Sequence, residues 1–356
     1  MATIDHKGPL YRLAYIYVTH TFKQFYSEFH LLGKENLPTD GKAIYGSNHL
    51  NALMDALAML SIVPRPMSIV FLARADIFGN KLAARLLHFT KIFPAYRIRN
   101  GFENLGKNAE VFEQCADVLN RGNCIGIMPE GNQTLQHKIR PLVKGIFRIA
   151  FAAQEKLGEE ESIKLIPIGI DMVDLIMPGS PIVIEAGKPI NVLDYMKLHK
   201  EDPVLAMNKL RADYRQALRD VTVDYATDEH YDTFELAGLI VNTEMVNHLN
   251  IKDNTVNRFK ARKEIAKRLV AIEREKPEKL EELTAICKDF QQNIKAINLS
   301  IPTLEKAPES PLMMFLGALL LAIASPIALV GSLLNALPYF GTRGISKALN
   351  FNSDEF

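Results

Sequence analysis

Between Lys42 and Ala186, short apolar runs alternate with longer stretches of helical periodicity, and this alternation constrains the fold more than any other feature of the chain. Lys42 to Gly46, Met67 to Ala73, Lys91 to Tyr96, Cys124 to Met128, Lys164 to Ile170 and Pro181 to Ala186 read as strands. Ala52 to Ile62, Gly79 to Phe89, Leu105 to Arg121 and Lys144 to Leu157 read as the helices between them. Strands that alternate with helices bury both partners only as layers. The spacing therefore predicts an α/β fold: a mixed, largely parallel sheet flanked by helices. No Gly-x-Gly-x-x-Gly follows the first strand and no Gly-x-x-x-x-Gly-Lys occurs, so a dinucleotide or P-loop site has no support.

The flanks differ in character. Residues 1–32 are expected to form an amphipathic helix, with Tyr11, Tyr15, Val18, Phe22, Phe25, Tyr26 and Phe29 at helical spacing, either docked on the core or lying in a lipid interface. Residues 33–190 hold the α/β domain. Residues 191–300 form a charged helical region with helices over Val204 to Tyr225, Leu236 to Leu249, Asn257 to Glu275 and Pro277 to Asn298. In it Lys260, Arg262, Lys263, Lys267 and Arg268 read as a solvated basic face, or as one that meets anionic lipid. A Pro-rich linker (301–311) follows. From Ser310 to Thr342 no residue is charged, a longer run than the roughly 20 residues that cross a bilayer as helix. Because Ser325-Pro326 interrupts it, the membrane segment (312–342) is expected to be one kinked span or a re-entrant hairpin. The polar tail, 343–356, stops without a closing element, as a fragment would.

Composition excludes little. A net charge of +1 with 23% charged residues gives no case for nucleic acid. The three cysteines, Cys115, Cys124 and Cys287, lack metal-ligand spacing and are expected to be small core residues in a reducing compartment. Asp5, His6 and Lys7 near the start argue against a cleaved leader.

The chemistry is concentrated in Asn48-His49-Leu50-Asn51-Ala52-Leu53-Met54-Asp55, where an apolar strand gives way to a helix whose expected N-cap is Asn51. On one continuous helix, six steps of about 100° would put His49 and Asp55 about 240° apart, on different faces. With His49 on the turn before the helix, the Asp55 carboxylate can reach Nδ1 and leave Nε2 as a general base. The bland reading is a histidine that caps the helix or fills a polar niche. Three further blocks weigh against it: Phe93-Pro94-Ala95-Tyr96-Arg97-Ile98-Arg99, then Met128-Pro129-Glu130-Gly131-Asn132-Gln133, then Leu165-Ile166-Pro167-Ile168-Gly169. The polar residues of the first three blocks fall at carboxyl ends of strands, where α/β sheets place their sites.

In this order, over about residues 30 to 190, the four blocks resemble those of the glycerolipid acyltransferases, the lysophosphatidic acid and glycerol-3-phosphate acyltransferase superfamily. The resemblance implies the acyltransferase fold, with His49 as general base and Asp55 as its orienting partner. It implies that Arg97, with Arg99 beside it, binds the acceptor's phosphate, that Glu130 and Gly131 help hold the acceptor, and that Pro167 shapes the acyl-donor side. Asn48 is placed with the substrate-binding residues. Two positions depart from the family pattern. Five residues rather than four separate His49 from Asp55, which predicts an irregular turn at Leu50 to Ala52. Asn132 and Gln133 stand where Thr-Arg is usual; Lys138, Arg140 and Lys144 are the nearby cations that could substitute, and the helix N-terminus at Lys144-Gly145 also favours an anion.

The expected activity is O-acyl transfer from acyl-CoA or acyl-carrier protein to 1-acylglycerol 3-phosphate at a membrane, with the catalytic domain facing the cytoplasm. Neither metal nor cofactor is required, since a thioester carbonyl is already activated and backbone N–H groups near His49 could receive the oxyanion. Glycerol 3-phosphate or another lysolipid, including amino-acid lipids, is the alternative acceptor. A silent lipid-binding protein that keeps the fold is the alternative from outside enzymology.

Overall fold

The computed structural model describes residues 3–96, 105–175, 177–297 and 310–348. Two units make up the chain, Met1–Cys287 and Lys288–Phe356. The first contains β1 (Phe29–Leu32), β2 (Ala43–Ser47), β3 (Ile69–Arg74), β4 (Ile92–Ala95), β5 (Cys124–Ile127), β6 (Lys164–Met172), β7 (Ile182–Ala186) and β8 (Ile190–Asn191). They form one sheet in the order β1-β7-β6-β2-β5-β3-β4, with β8 also paired to β6. The run from β6 through β2, β5 and β3 to β4 is parallel, whereas β6 meets β7 and β8 antiparallel. The sheet is thus mixed and largely parallel, as the alternation predicts.

Helices cover both faces, which is why the central strands are almost continuously apolar. Every residue of β2 is buried. On one face lie α4 (Leu105–Asn120) and α5 (Gly145–Leu157), with α7 (Pro203–Val221), packed on Ile44, Val70 and Ile125. On the other, α1 (Pro9–Phe25) and α2 (Ala52–Ile62) pack on Tyr45, Ile69 and Ile168. Helix α3 (Lys81–Phe89) joins β3 to β4, and the short α6 (Met196–Glu201) precedes α7. The three cysteines are buried and unpaired.

Several elements differ from their sequence reading. Helix α1 ends at Phe25, and Phe29 belongs to the edge strand β1, held parallel to β7. Aromatics at helical spacing on both sides of Ser27 hid that break, since tertiary pairing overrides a short local pattern. The Leu236–Leu249 helix is two, α8 (Tyr231–Ile240) and α9 (Asn242–His248). The basic run on α10 (Thr255–Glu275) is not one solvated face: Arg262 is buried against Asp171, and Lys263 pairs with Glu185 at 2.7 Å. Cations turned inward onto strand carboxylates are paired charges, because a lone buried charge is too costly to keep. α8, α10 and the first half of α11 (Pro277–Ile297) share a further core with β7 through Val183, Phe234 and Phe259.

The second unit holds α12 (Pro311–Ala348), one uninterrupted helix. Residues Pro311–Leu333, 23 in all, form an apolar stretch about 35 Å long, enough for a hydrocarbon core of about 30 Å. No re-entrant hairpin forms at Ser325-Pro326. Pro326 cannot donate to the carbonyl four residues back, but Ser325 Oγ donates to that same oxygen, Ala322 O, at 2.8 Å.

Candidate active site

Strand β2 delivers His49 to the carboxyl edge of the parallel strands. The turn that follows is irregular, as the five-residue spacing requires. Asn48 is buried, and its side chain acts as one more rung of the sheet: Nδ2 donates to Ile170 O and Oδ1 accepts from Ile170 N, both at 2.8 Å. Leu50, 2% exposed, anchors the turn in the core. The additional residue is absorbed at Asn51 (φ −142°, ψ 64°) and at Ala52, whose φ of +32° is strained for a side chain with a Cβ. Such strain costs on the order of 1–3 kcal/mol and survives where surrounding contacts over-determine it. Here the expected N-cap role of the Asn51 side chain is not realised; its amide donates to Leu175 O instead.

The outcome is a close pair. His49 Nδ1 lies 2.8 Å from Asp55 Oδ2, and the same oxygen accepts the Asn51 N–H at 2.8 Å. Asp55 is fully buried while the imidazole keeps 17% of its surface. A helical side chain in the first turn leans back toward the N-terminus, which is how Asp55 reaches past Ala52 to the turn. One ring nitrogen is thus tied to a carboxylate, and the ring retains access to solvent.

The β5–α5 loop, residues 128–144, wraps this turn. Gly131, with φ +73°, turns the chain after Pro129-Glu130. Glu130 faces inward: Oε1 accepts the His49 N–H and Oε2 the Arg140 N–H, each at 3.2 Å. Burial pushes its carboxyl up to about 7, against the opposing pull of the two N–H groups. Both oxygens therefore hold backbone, so Glu130 braces the histidine turn and the loop. Thr134 N donates to His49 O at 3.0 Å and closes the same contact from the other side.

Of the substitute cations, Arg140 reaches back to the two positions that stand in place of Thr-Arg: its guanidinium donates to Gln133 O at 3.2 Å and Asn132 O at 3.4 Å. Lys144 is exposed at the N-terminus of α5. Lys138 is engaged by Asp228. Arg97 and Arg99 lie outside the described residues; the strand that leads to them, β4, is three strands from β2, about 14 Å away. Pro167 is buried inside β6, opposite Gly46. Its carbonyl accepts from Gly187 N at 2.8 Å, and the return bond that proline cannot donate falls at the corner between β7 and β8, where the strand pairing is interrupted.

Sequence reasoning missed Tyr214. From α7 its hydroxyl donates to Gly46 O at 2.8 Å, beneath the strand end that carries His49. A Cβ on Gly46 would lie 2.1 Å from the Tyr214 hydroxyl oxygen, so glycine is obligatory there. Helical spacing with Leu210 and Leu218 marks Tyr214 as buried, but nothing local says what it touches.

The family model described as Acyltransferase matches residues 28–171, which span the His49 turn, Glu130 and β6. The crystal structure of the 1-acyl-sn-glycerophosphate (LPA) acyltransferase PlsC from Thermotoga maritima aligns at 16% identity with a TM-score of 0.41, covering 59% of this chain and 77% of that one. No curated protein matches the chain. The family match falls on the strands and turn that build the His49–Asp55 pair, so over residues 28–171 the chain is similar to the Acyltransferase family.

Proposed function

We propose that the protein transfers a fatty acyl group from acyl-CoA or acyl-carrier protein to the free hydroxyl of 1-acylglycerol 3-phosphate. The observation that carries this reading is the His49–Asp55 contact of 2.8 Å at the open edge of the sheet. Asp55 holds the tautomer with the proton on Nδ1, so Nε2 takes the acceptor's hydroxyl proton as that oxygen bonds to the thioester carbon. The tetrahedral adduct then collapses, the C–S bond breaks, and Nε2–H returns the proton to the departing sulfur. A base positioned in this way contributes about 10²- to 10⁴-fold. The thioester is activated enough that no covalent enzyme intermediate is needed.

For the acceptor's phosphate, the reading uses Arg97 and Arg99 beyond β4, Arg140 on the loop and the Lys144 end of α5. An anion at that helix terminus gains about 0.3–1 kcal/mol. Asn48 and Glu130 act through the backbone they brace, and Pro167 through the strand it shapes. Because Asn132 and Gln133 leave the loop without its usual cation, glycerol 3-phosphate or another lysolipid is the second acceptor to test.

Membrane association is proposed on two features. The first is α12. The second is the outward face of α1, where Leu10, Leu13, Ile16 and Tyr17 are exposed and the only charged side chains on the helix are Arg12 and Lys23. Apolar side chains flanked by cations suit an anionic lipid surface facing the cytoplasm. Thiol release from acyl-CoA against a panel of acceptors tests the activity: strong release with 1-acylglycerol 3-phosphate and background release with glycerol 3-phosphate is expected, and the reverse order overturns the acceptor assignment. Removing residues 310–356 is expected to free the protein from membranes; continued tight binding would assign the anchoring to α1.

A further inference from the structure

The β5–α5 loop has a second attachment, away from the His49 turn. Segment 219–235, beyond the residues the family model matches, grips it along three consecutive residues. His137 N donates to Tyr231 Oη at 2.8 Å, and His137 O accepts from Tyr225 N at 2.7 Å. Lys138 pairs with Asp228. Ile139 N donates to Asp224 Oδ1 at 2.9 Å, and Asp224 is itself held by Arg219 Nε at 2.7 Å. The His137 ring is 10% exposed and lies between two carboxylates, with Nε2 3.4 Å from Asp171 Oδ1 and Nδ1 3.6 Å from Glu235 Oε1. Arg262 of α10 pairs with the other oxygen of Asp171.

We infer that this helical extension is a positioning device for the acceptor loop, with His137 as the residue through which α8 and α10 set where Arg140 and the Lys144 end of α5 stand. The inference rests on the reading that residues 128–144 serve the acceptor. Its physical basis is that a connection of this length has little order of its own, whereas this one is tied at residue 130 to the catalytic turn and at residues 137–139 to the extension. Each tie is weak on its own, but together they fix a phosphate-binding group whose misplacement by about 1 Å can cost on the order of 100-fold. His137 and Tyr231 touch no substrate; they act through the loop.

The test uses the full chain with acyl-CoA and 1-acylglycerol 3-phosphate in mixed micelles. In His137→Gln the KM for the acceptor is expected to rise about tenfold, equivalent to about 1.4 kcal/mol, and in Tyr231→Phe about threefold to fivefold. The KM for acyl-CoA stays within about twofold in both, because uniform binding is lost for one substrate only. A structural role alone would lower kcat and the unfolding midpoint with both KM values unchanged, and that result overturns the proposal. Tyr231→Phe removes one hydroxyl and keeps the fold, so it decides the matter if His137→Gln does not fold. Should the parent protein release no thiol with any acceptor, the acyl-transfer reading fails. Hydrogen exchange then judges the positioning separately: faster exchange across residues 128–144 in Tyr231→Phe is the expected result, and unchanged exchange overturns it.

Discussion

Two histidine–carboxylate pairs meet at the same loop, one on the turn that the loop wraps and one within the loop itself. His49 meets a single carboxylate at 2.8 Å and keeps 17% of its side chain open. His137 is 10% exposed and has a carboxylate near each ring nitrogen, at 3.4 and 3.6 Å. Burial alone would push the His137 pKa down, but Asp171 and Glu235 outweigh it and hold the ring above its ordinary value. Burial likewise opposes the ionised form of Asp171, and Arg262 with His137 overcomes it, so that carboxyl stays below its usual range. The first pair has a nitrogen left to move a proton, and the second has none. The same two residue types therefore suit the proposed base in one place and the proposed fastener in the other, and the deciding variable is how many carboxylates the ring faces.

The comparison can be broken from its catalytic side first. His49→Ala should reduce acceptor-dependent thiol release by about 10²- to 10⁴-fold with little change in the unfolding midpoint. Full activity in that variant would remove His49 from the mechanism. On the fastener side, Arg262→Met leaves Asp171 buried with less compensation and should cost about 3–5 kcal/mol in urea unfolding. If pairing is the reason, Arg262→Met with Asp171→Leu should recover most of that loss. A double variant as unstable as the single one would show that Arg262 contributes by packing.

Glu130, on the same loop and bonded to the His49 N–H, gives the comparison a pH signature. Its pKa is about 7 in the folded chain against an ordinary 4.5, so the folded state holds this proton more tightly than the unfolded state. Its contribution to stability is full below about pH 4.5 and is lost as pH rises through about 7, a decline of up to about 3 kcal/mol. The difference between parent and Glu130→Gln over that window isolates it; a difference that does not change with pH would mean the carboxyl is already ionised throughout. The smallest effect is expected at Lys144→Ala, a loss of about 0.3–1 kcal/mol in acceptor binding, read as a rise of up to about fivefold in acceptor KM.

Much of the site was legible because its parts are local. His49 and Asp55 are six residues apart, and strand-to-helix patterning placed the histidine on a turn. The spacing even located the irregularity that Ala52 carries, since one additional residue on a regular helix rotates the carboxylate by about 100°. Asn48 and Glu130 were found by the same patterning, yet their contacts were not. Whether a side chain holds an acceptor or a backbone N–H depends on what lies across the sheet, and Ile170 is 122 residues from Asn48. β1 escaped notice for a related reason, because an edge strand of four residues is defined by its partner β7.

By itself the sequence determined the layer architecture, the address of the His49–Asp55 pair, the uncharged span and the order of the blocks. These follow from periodicity and from strand ends, both properties of consecutive residues. Tertiary structure alone decided that Tyr214 supports the β2 end, that Arg262 points inward, and that His137 joins the β5–α5 loop to helices beyond the residues the family model matches. Those contacts cross from 34 residues, His137 to Asp171, to 168, Tyr214 to Gly46. Charge and polarity along the chain do not encode which buried group another will meet; only the folded packing brings a carboxylate to one nitrogen of an imidazole or to both.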